Sequence, residues 1–137
     1  MISIPSAFAP SYAQARVKFL EAAATASTAI RSFKHPLPGR DGEQLAMDVA
    51  LDGDPASERL LIVSSACHGV EGYCGSGVQV FALHDDEWRA KARDAGVAVL
   101  YIHALNPYGF SHIRRVTQEN VDLNRNFHDF AQPLPVN

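Results

Sequence analysis

His68 and Glu71 flank two residues in the stretch CHGVEG, which lies between the apolar run LLIVSSA and the stretch SGVQVFAL. An imidazole nitrogen and a carboxylate oxygen are both zinc ligands, and a catalytic zinc site typically combines three protein ligands with a water. At the mouth of a strand a turn can bring both side chains to one ion, and Gly69 and Gly72 allow a tight backbone path there. The same spacing occurs in ordinary surface loops, so the pair needs support from elsewhere in the chain. Cys67, beside His68, suggests a nucleophile. Neighbours on an extended strand point to opposite faces, however, and this thiol is expected to pack into the core.

A second group of chemically capable residues lies in NPYGFSHIRRVTQENVDLNRNF, where Arg114, Arg115 and Arg125 crowd one loop-rich segment. Arginine forks bind carboxylates bidentately and can stabilise a developing oxyanion. The same arginines could equally pair with Glu119, Asp122 and Asp129 on the surface, where ion pairs contribute little.

These residues must be positioned by regular elements. Ser11 can cap a helix over about 11–32, in which Tyr12, Ala15, Phe19, Ala23, Ala26 and Ile30 recur at helical spacing. HPLPGRDGE reads as a loop, and QLAMDVAL alternates Leu45, Met47, Val49 and Leu51 as a half-buried strand does. LLIVSSA and VAVLYIHAL are apolar on both alternating sets, which suits strands inside a sheet covered on both sides. Gly75 to Leu83 reads as a helix, and so does DDEWRAKARDA, whose acids precede its bases as the helix dipole favours. Asn106-Pro107-Tyr108-Gly109 has turn chemistry just past the last of these strands. The fold class is therefore α/β, one domain over 1–137 with at least three strands flanked by helices.

Composition narrows the function classes. A net charge of −3 without a basic stripe argues against nucleic acid. No apolar run approaches the roughly 18 residues of a membrane helix, and the first residues lack the features of a signal peptide. Two cysteines are too few for a disulfide framework and suit free thiols in a reducing cytoplasm.

Taken together, HGVEG after a strand, then NPYGF, RR and VDLNRNF, resemble the zinc carboxypeptidase (carboxypeptidase A-like) family, most closely a bacterial cytoplasmic branch of poorly defined substrates. The resemblance spans roughly residues 10 to 130, with its sharp motifs in 64–77 and 106–127. It implies a mixed sheet flanked by helices, of which this length supplies about three to four strands, and one zinc ion held by His68 and Glu71. It further implies that Arg115, with Arg114 as runner-up, polarises the scissile carbonyl, and that Asn124 and Arg125 hold a substrate carboxylate. Substrates would be peptides or acylated amino acids with a free carboxylate, attacked by metal-activated water.

The family's third ligand is a histidine well downstream of DLNRNF, with the general-base glutamate and a capping tyrosine further on. His128 is only three residues past Arg125, too near for that place. His35, His84, His103 and His112 match no ligand position and are expected in core, capping or surface roles. Glu119 is expected to serve a turn or an arginine. The truncated sheet edge is expected to be covered by self-association, by a partner or by a continuation of the chain. The competing readings are a truncated, non-catalytic paralogue that binds a carboxylate ligand or partner through Arg115, Asn124 and Arg125, and an acylamino-acid amidohydrolase resembling aspartoacylase.

Overall fold

Val97–His103 (β4) forms the middle of the sheet because both of its alternating sets are apolar and strands on either side supply its backbone partners. The computed structural model of the chain describes residues 2–26, 28–125, 127, 129 and 131–133. Within them, Ala29–Pro38 (β1), Gln44–Asp52 (β2), Arg59–Ser64 (β3) and β4 form one mixed sheet in the order β1-β2-β4-β3. β1 pairs antiparallel with β2, β2 antiparallel with β4, and β3 parallel with β4. The helices are Ile4–Ala7 (α1), Tyr12–Thr25 (α2), Gly72–Leu83 (α3), Asp86–Asp94 (α4) and Pro107–Ser111 (α5), and a 3-10 turn lies at Leu123–Arg125. α3 and α4 make the crossover that two parallel strands require. No helix among the described residues is long and apolar enough to cross a membrane.

The structure departs from the sequence expectations in β2, where Ala46, Asp48 and Ala50 are fully buried and Met47, Val49 and Leu51 only partly so, and more strongly at two further elements. The helix expected over 11–32 stops at Thr25, and the backbone N–H and the hydroxyl of Thr28 both donate to the Ala23 carbonyl, at 3.1 and 3.0 Å. Strand β1 then takes the place of the expected helix end and loop. Pro36 and Pro38 are tolerated because β1 is an edge strand, and the register slips between Lys34 and Pro38. The second of these elements is LLIVSSA, expected inside a sheet. Among the described residues it forms the other edge strand, β3, and Leu60 and Ile62 are 55% and 56% exposed.

Alternation along paired strands sends Ala50, Val63, Val99 and Tyr101 towards Phe19, Val80 and Leu83, the core beneath α2, α3 and α4. Two arginine–aspartate pairs fasten helices to β2. Arg16 of α2 donates through Nε and a terminal nitrogen to the fully buried Asp48, at 2.6 and 3.1 Å, and Arg89 of α4 reaches Asp52 at 2.7 Å. Tyr12 adds a third link, its hydroxyl accepting from the Ala46 amide at 2.8 Å and donating to the Ala46 carbonyl. Burial pushes this phenol up to about 12. Removing Arg16 would leave the fully buried Asp48 carboxylate without its cation.

His103, opposite Asp48 across the β2–β4 pairing, is fully buried. Its ring stacks on Phe19 at 4.7 Å, Nε2 lies 2.9 Å from Ser76 Oγ, and Nδ1 has no partner among the described residues. Burial lowers its pKa to about 4, with the Asp48 charge opposing. The unfolded chain takes up this proton near pH 6.5, so the neutral ring's contribution is complete above that pH and is lost as pH falls towards about 4. The ceiling of this loss is about 3 kcal/mol. Urea unfolding between pH 7.5 and 4 is expected to show it, and His103→Asn to flatten the slope in that window. An unchanged slope in the variant would assign the acid sensitivity elsewhere.

Candidate functional site

Because β3 and β4 run parallel, their carboxyl ends lie side by side, and the segment leaving each carries one of the sequence motifs. Backbone pairing continues past the strands: Ser65 N–H donates to Ile102 O, Leu105 N–H to Ser65 O and Asn106 N–H to Ala66 O, all at 2.9 or 3.0 Å. Asn106 then caps α5 by accepting from the Gly109 amide at 2.8 Å. Beyond α5 the chain returns so that the Arg114 carbonyl accepts the Gly69 N–H at 3.0 Å. The two motifs therefore form one body.

The glycines of CHGVEG have a packing role. A Cβ on Gly69 would collide with the Gly109 and Arg114 carbonyls, and one on Gly72 with Ala66 and the Phe110 ring. Neither has a positive φ, in contrast to Gly42, Gly53 and Gly96. Gly72 also begins α3, three residues earlier than its sequence reading at Gly75. Glu71 stands at the helix N-cap with its side chain 64% exposed.

Asp122 gathers the candidate residues. Its Oδ1 lies 3.0 Å from His68 Nε2 and accepts the Asn124 amide at 3.0 Å. Its Oδ2 accepts from Arg115 Nε at 2.8 Å, with Arg125 Nε 3.6 Å away. A carboxylate can only accept, so the neutral His68 ring carries its proton on Nε2. That leaves the Nδ1 lone pair facing Glu71, whose Oε1 is 3.5 Å off. An imidazole tied at one nitrogen by a carboxylate, with the other free beside a second carboxylate, is how metal-binding histidines are usually oriented. Asp122 itself is held near 2, chiefly by the Arg115 hydrogen bond, against the opposing effect of burial and with help from His68 and the Asn124 amide.

Of the paired arginines, Arg115 converges on His68 through Asp122, whereas Arg114 turns to Asn120 Oδ1 at 3.2 Å. Arg115 and Arg125 stay 49% and 76% exposed, and the Asn124 side chain is also at the surface. The surface pairing open to these arginines is thus realised with Asp122, while Glu119 is exposed. Cys67 is only partly buried, and burial raises its thiol pKa, so it is a poor nucleophile at neutral pH. His84 caps α3, His103 is core, His112 stacks on Tyr108 at 4.1 Å and His35 contacts Gln118. His128 lies outside the described residues. Among those described, no three His, Cys, Asp or Glu side chains are grouped to hold a metal by themselves. A surface cleft of about 630 Å³, lined by Asp54, Arg59 and Arg93, lies at the opposite end of β3 and β4 and shares none of these residues.

Sequence reasoning places Asp122 only among surface partners of arginine. The available signal is its position in VDLNRNF, but that its carboxylate meets a histidine 54 residues earlier is visible only in the fold. Long-range proton–nitrogen NMR of the imidazole at alkaline pH is expected to show His68 as the Nε2–H tautomer, and Asp122→Ala to abolish that preference. A dominant Nδ1–H form in the unaltered chain would contradict the arrangement.

Among curated proteins, none matches the chain. Among solved structures, a glutaminyl cyclase from Porphyromonas gingivalis is similar at 16% identity and a TM-score of 0.44, over 78% of this chain and 47% of its own. The chain thus spans about half the length of that structure. A family model described as "Protein of unknown function (DUF2817)" matches residues 8–137, nearly the whole sequence, and the chain belongs to that family.

Proposed function

We propose that the chain supplies part of the active centre of a zinc-dependent hydrolase of the carboxypeptidase type, acting on peptides or acylated amino acids that carry a free carboxylate. The observation that carries this reading is the His68 ring, tied to Asp122 at Nε2 and open towards Glu71 at Nδ1. This donor pair fits two positions of a zinc site. A zinc ion bound there supplies a Lewis acid and an acidified water. Arg115 stands beside the pair, where a guanidinium can stabilise charge developing on a carbonyl oxygen. Exposed Arg125, with Asn124, can fork onto a substrate carboxylate. The third ligand and the general base that the sequence resemblance calls for are not among the described residues.

A second reading, favoured by the exposure of both guanidinium groups, is a carboxylate-binding module that uses Arg115, Asn124 and Arg125 without catalysis. An acylamino-acid amidohydrolase is a third, with the same metal chemistry on a different amide.

Zinc content after exhaustive dialysis, measured by elemental analysis, tests the metal reading. His68→Ala and Glu71→Ala are each expected to lower retention at least about tenfold, the scale on which site residues act. Retention unchanged in both would overturn it. Release of C-terminal residues from peptides, against deacylation of N-acyl amino acids, separates the two hydrolases. Carboxylate binding that is lost in Arg125→Ala, in a chain that turns over neither substrate with zinc supplied, would support the binding module.

A further inference from the structure

We infer that Gln79 is a positioning residue that aims the His68 loop from inside helix α3. This rests on the reading of His68 as a ligand. Gln79 is fully buried, and its amide is used almost completely. Nε2 donates to Val63 O of β3 at 2.8 Å and to Ile102 O of β4 at 3.0 Å, and Oε1 accepts from Ser65 Oγ at 3.0 Å. One side chain thus bridges both parallel strands at their carboxyl ends and also grips the first residue beyond β3. A buried amide is costly unless bonded, and its neighbours Val80 and Leu83 fill the core with aliphatic carbon alone. Packing alone would be served by an apolar residue of the same volume.

Immediately beyond Ser65 the backbone is strained. Ala66 has φ of 55°, is 4% exposed, and lies two residues before His68. A buried non-glycine residue in the left-handed region persists only where its surroundings over-determine it. The restraints on it are the Asn106 N–H on the Ala66 carbonyl, the Leu105 N–H on the Ser65 carbonyl and the Gln79 clamp on the Ser65 side chain. Helix α3 comes close enough to impose this: a Cβ on Gly75 would meet the Ser65 Cβ, and one on Gly72 the Ala66 Cβ. The clamp fixes the strand exit, the exit fixes the bend at Ala66, and the bend sets where His68 projects.

The test compares Gln79→Met, which keeps volume and removes the amide, with Val80→Ala, a core truncation outside the clamp. Ser65→Ala serves as a milder variant that loses one hydrogen bond. Four quantities are read: thermal midpoint, hydrogen exchange of the Gly69 amide and the His68 tautomer, both in the metal-free protein, and zinc affinity by competition with a chelator. At equal loss of thermal midpoint, Gln79→Met is expected to exchange Gly69 faster, to mix the His68 tautomers and to weaken zinc about tenfold or more relative to Val80→Ala. Ser65→Ala is expected to show the same pattern in smaller degree. If Gln79→Met tracks Val80→Ala in every readout, the amide is a core residue only and the inference falls. If the unaltered chain holds no zinc, the ligand reading fails by itself, and the Gly69 and His68 readouts still decide the clamp.

Discussion

Parallel pairing of Arg59–Ser64 with Val97–His103 constrains everything around the candidate site. Antiparallel neighbours would send successive loops to opposite ends of the sheet; parallel ones send both exits to the same end and require the intervening chain to return as helices. That return is α3 and α4, and α3 runs so close to the strand exits that Gly72 and Gly75 cannot carry a side chain without collision. The glycines of the first motif, the cap at Asn106 and the buried polar residues of α3 are all local solutions to that geometry. The site takes its precision from helix and strand, although its named residues sit on loops.

Charge at the site is organised around one carboxylate. Asp122 meets an imidazole, two guanidinium groups and a backbone amide, so it stays ionised far into acid. It orients His68, and it also holds Arg115 and Arg125 within reach of one another, where isolated surface arginines would spread apart. An incoming carboxylate would meet arginines already gathered, but would compete with Asp122 for their donors. Under the proposed reading, part of that attraction would be spent inside the protein, and a ligand would have to engage the outward faces of both forks.

Alternation makes β2 legible as a strand and the charge order of DDEWRAKARDA marks α4, but the face is misread: beside Leu45 it is Ala46, Asp48 and Ala50 that are fully buried, whereas Met47, Val49 and Leu51 are only partly so. Ala29–Pro38 is not legible, because two prolines and scattered polar residues carry no strand period, and only pairing with β2 makes it a strand. LLIVSSA reads correctly as a strand, and among the described residues it lies at an edge and not inside, since composition reports what a surface is suited to, not what covers it. At the site, His68, Glu71 and the arginines stand out by type and spacing. Asp122 and Gln79 do not, because their roles depend on partners far away in the chain. A glutamine inside an apolar helix looks like a weak point in the pattern until the carbonyls it serves are seen.

The span between His68 and Asp122 also bears on the order in which the molecule forms. A helix such as α2, or a hairpin such as β1–β2, closes over short loops and can form early, whereas β3 and β4 meet only after the chain from Ser64 to Val97 has been drawn together. The segment bearing Asp122 can dock only on the exits that this pairing creates. Loop-closure entropy therefore sets the His68–Asp122 contact, 54 residues apart along the chain, at a higher cost than the local elements on which it rests.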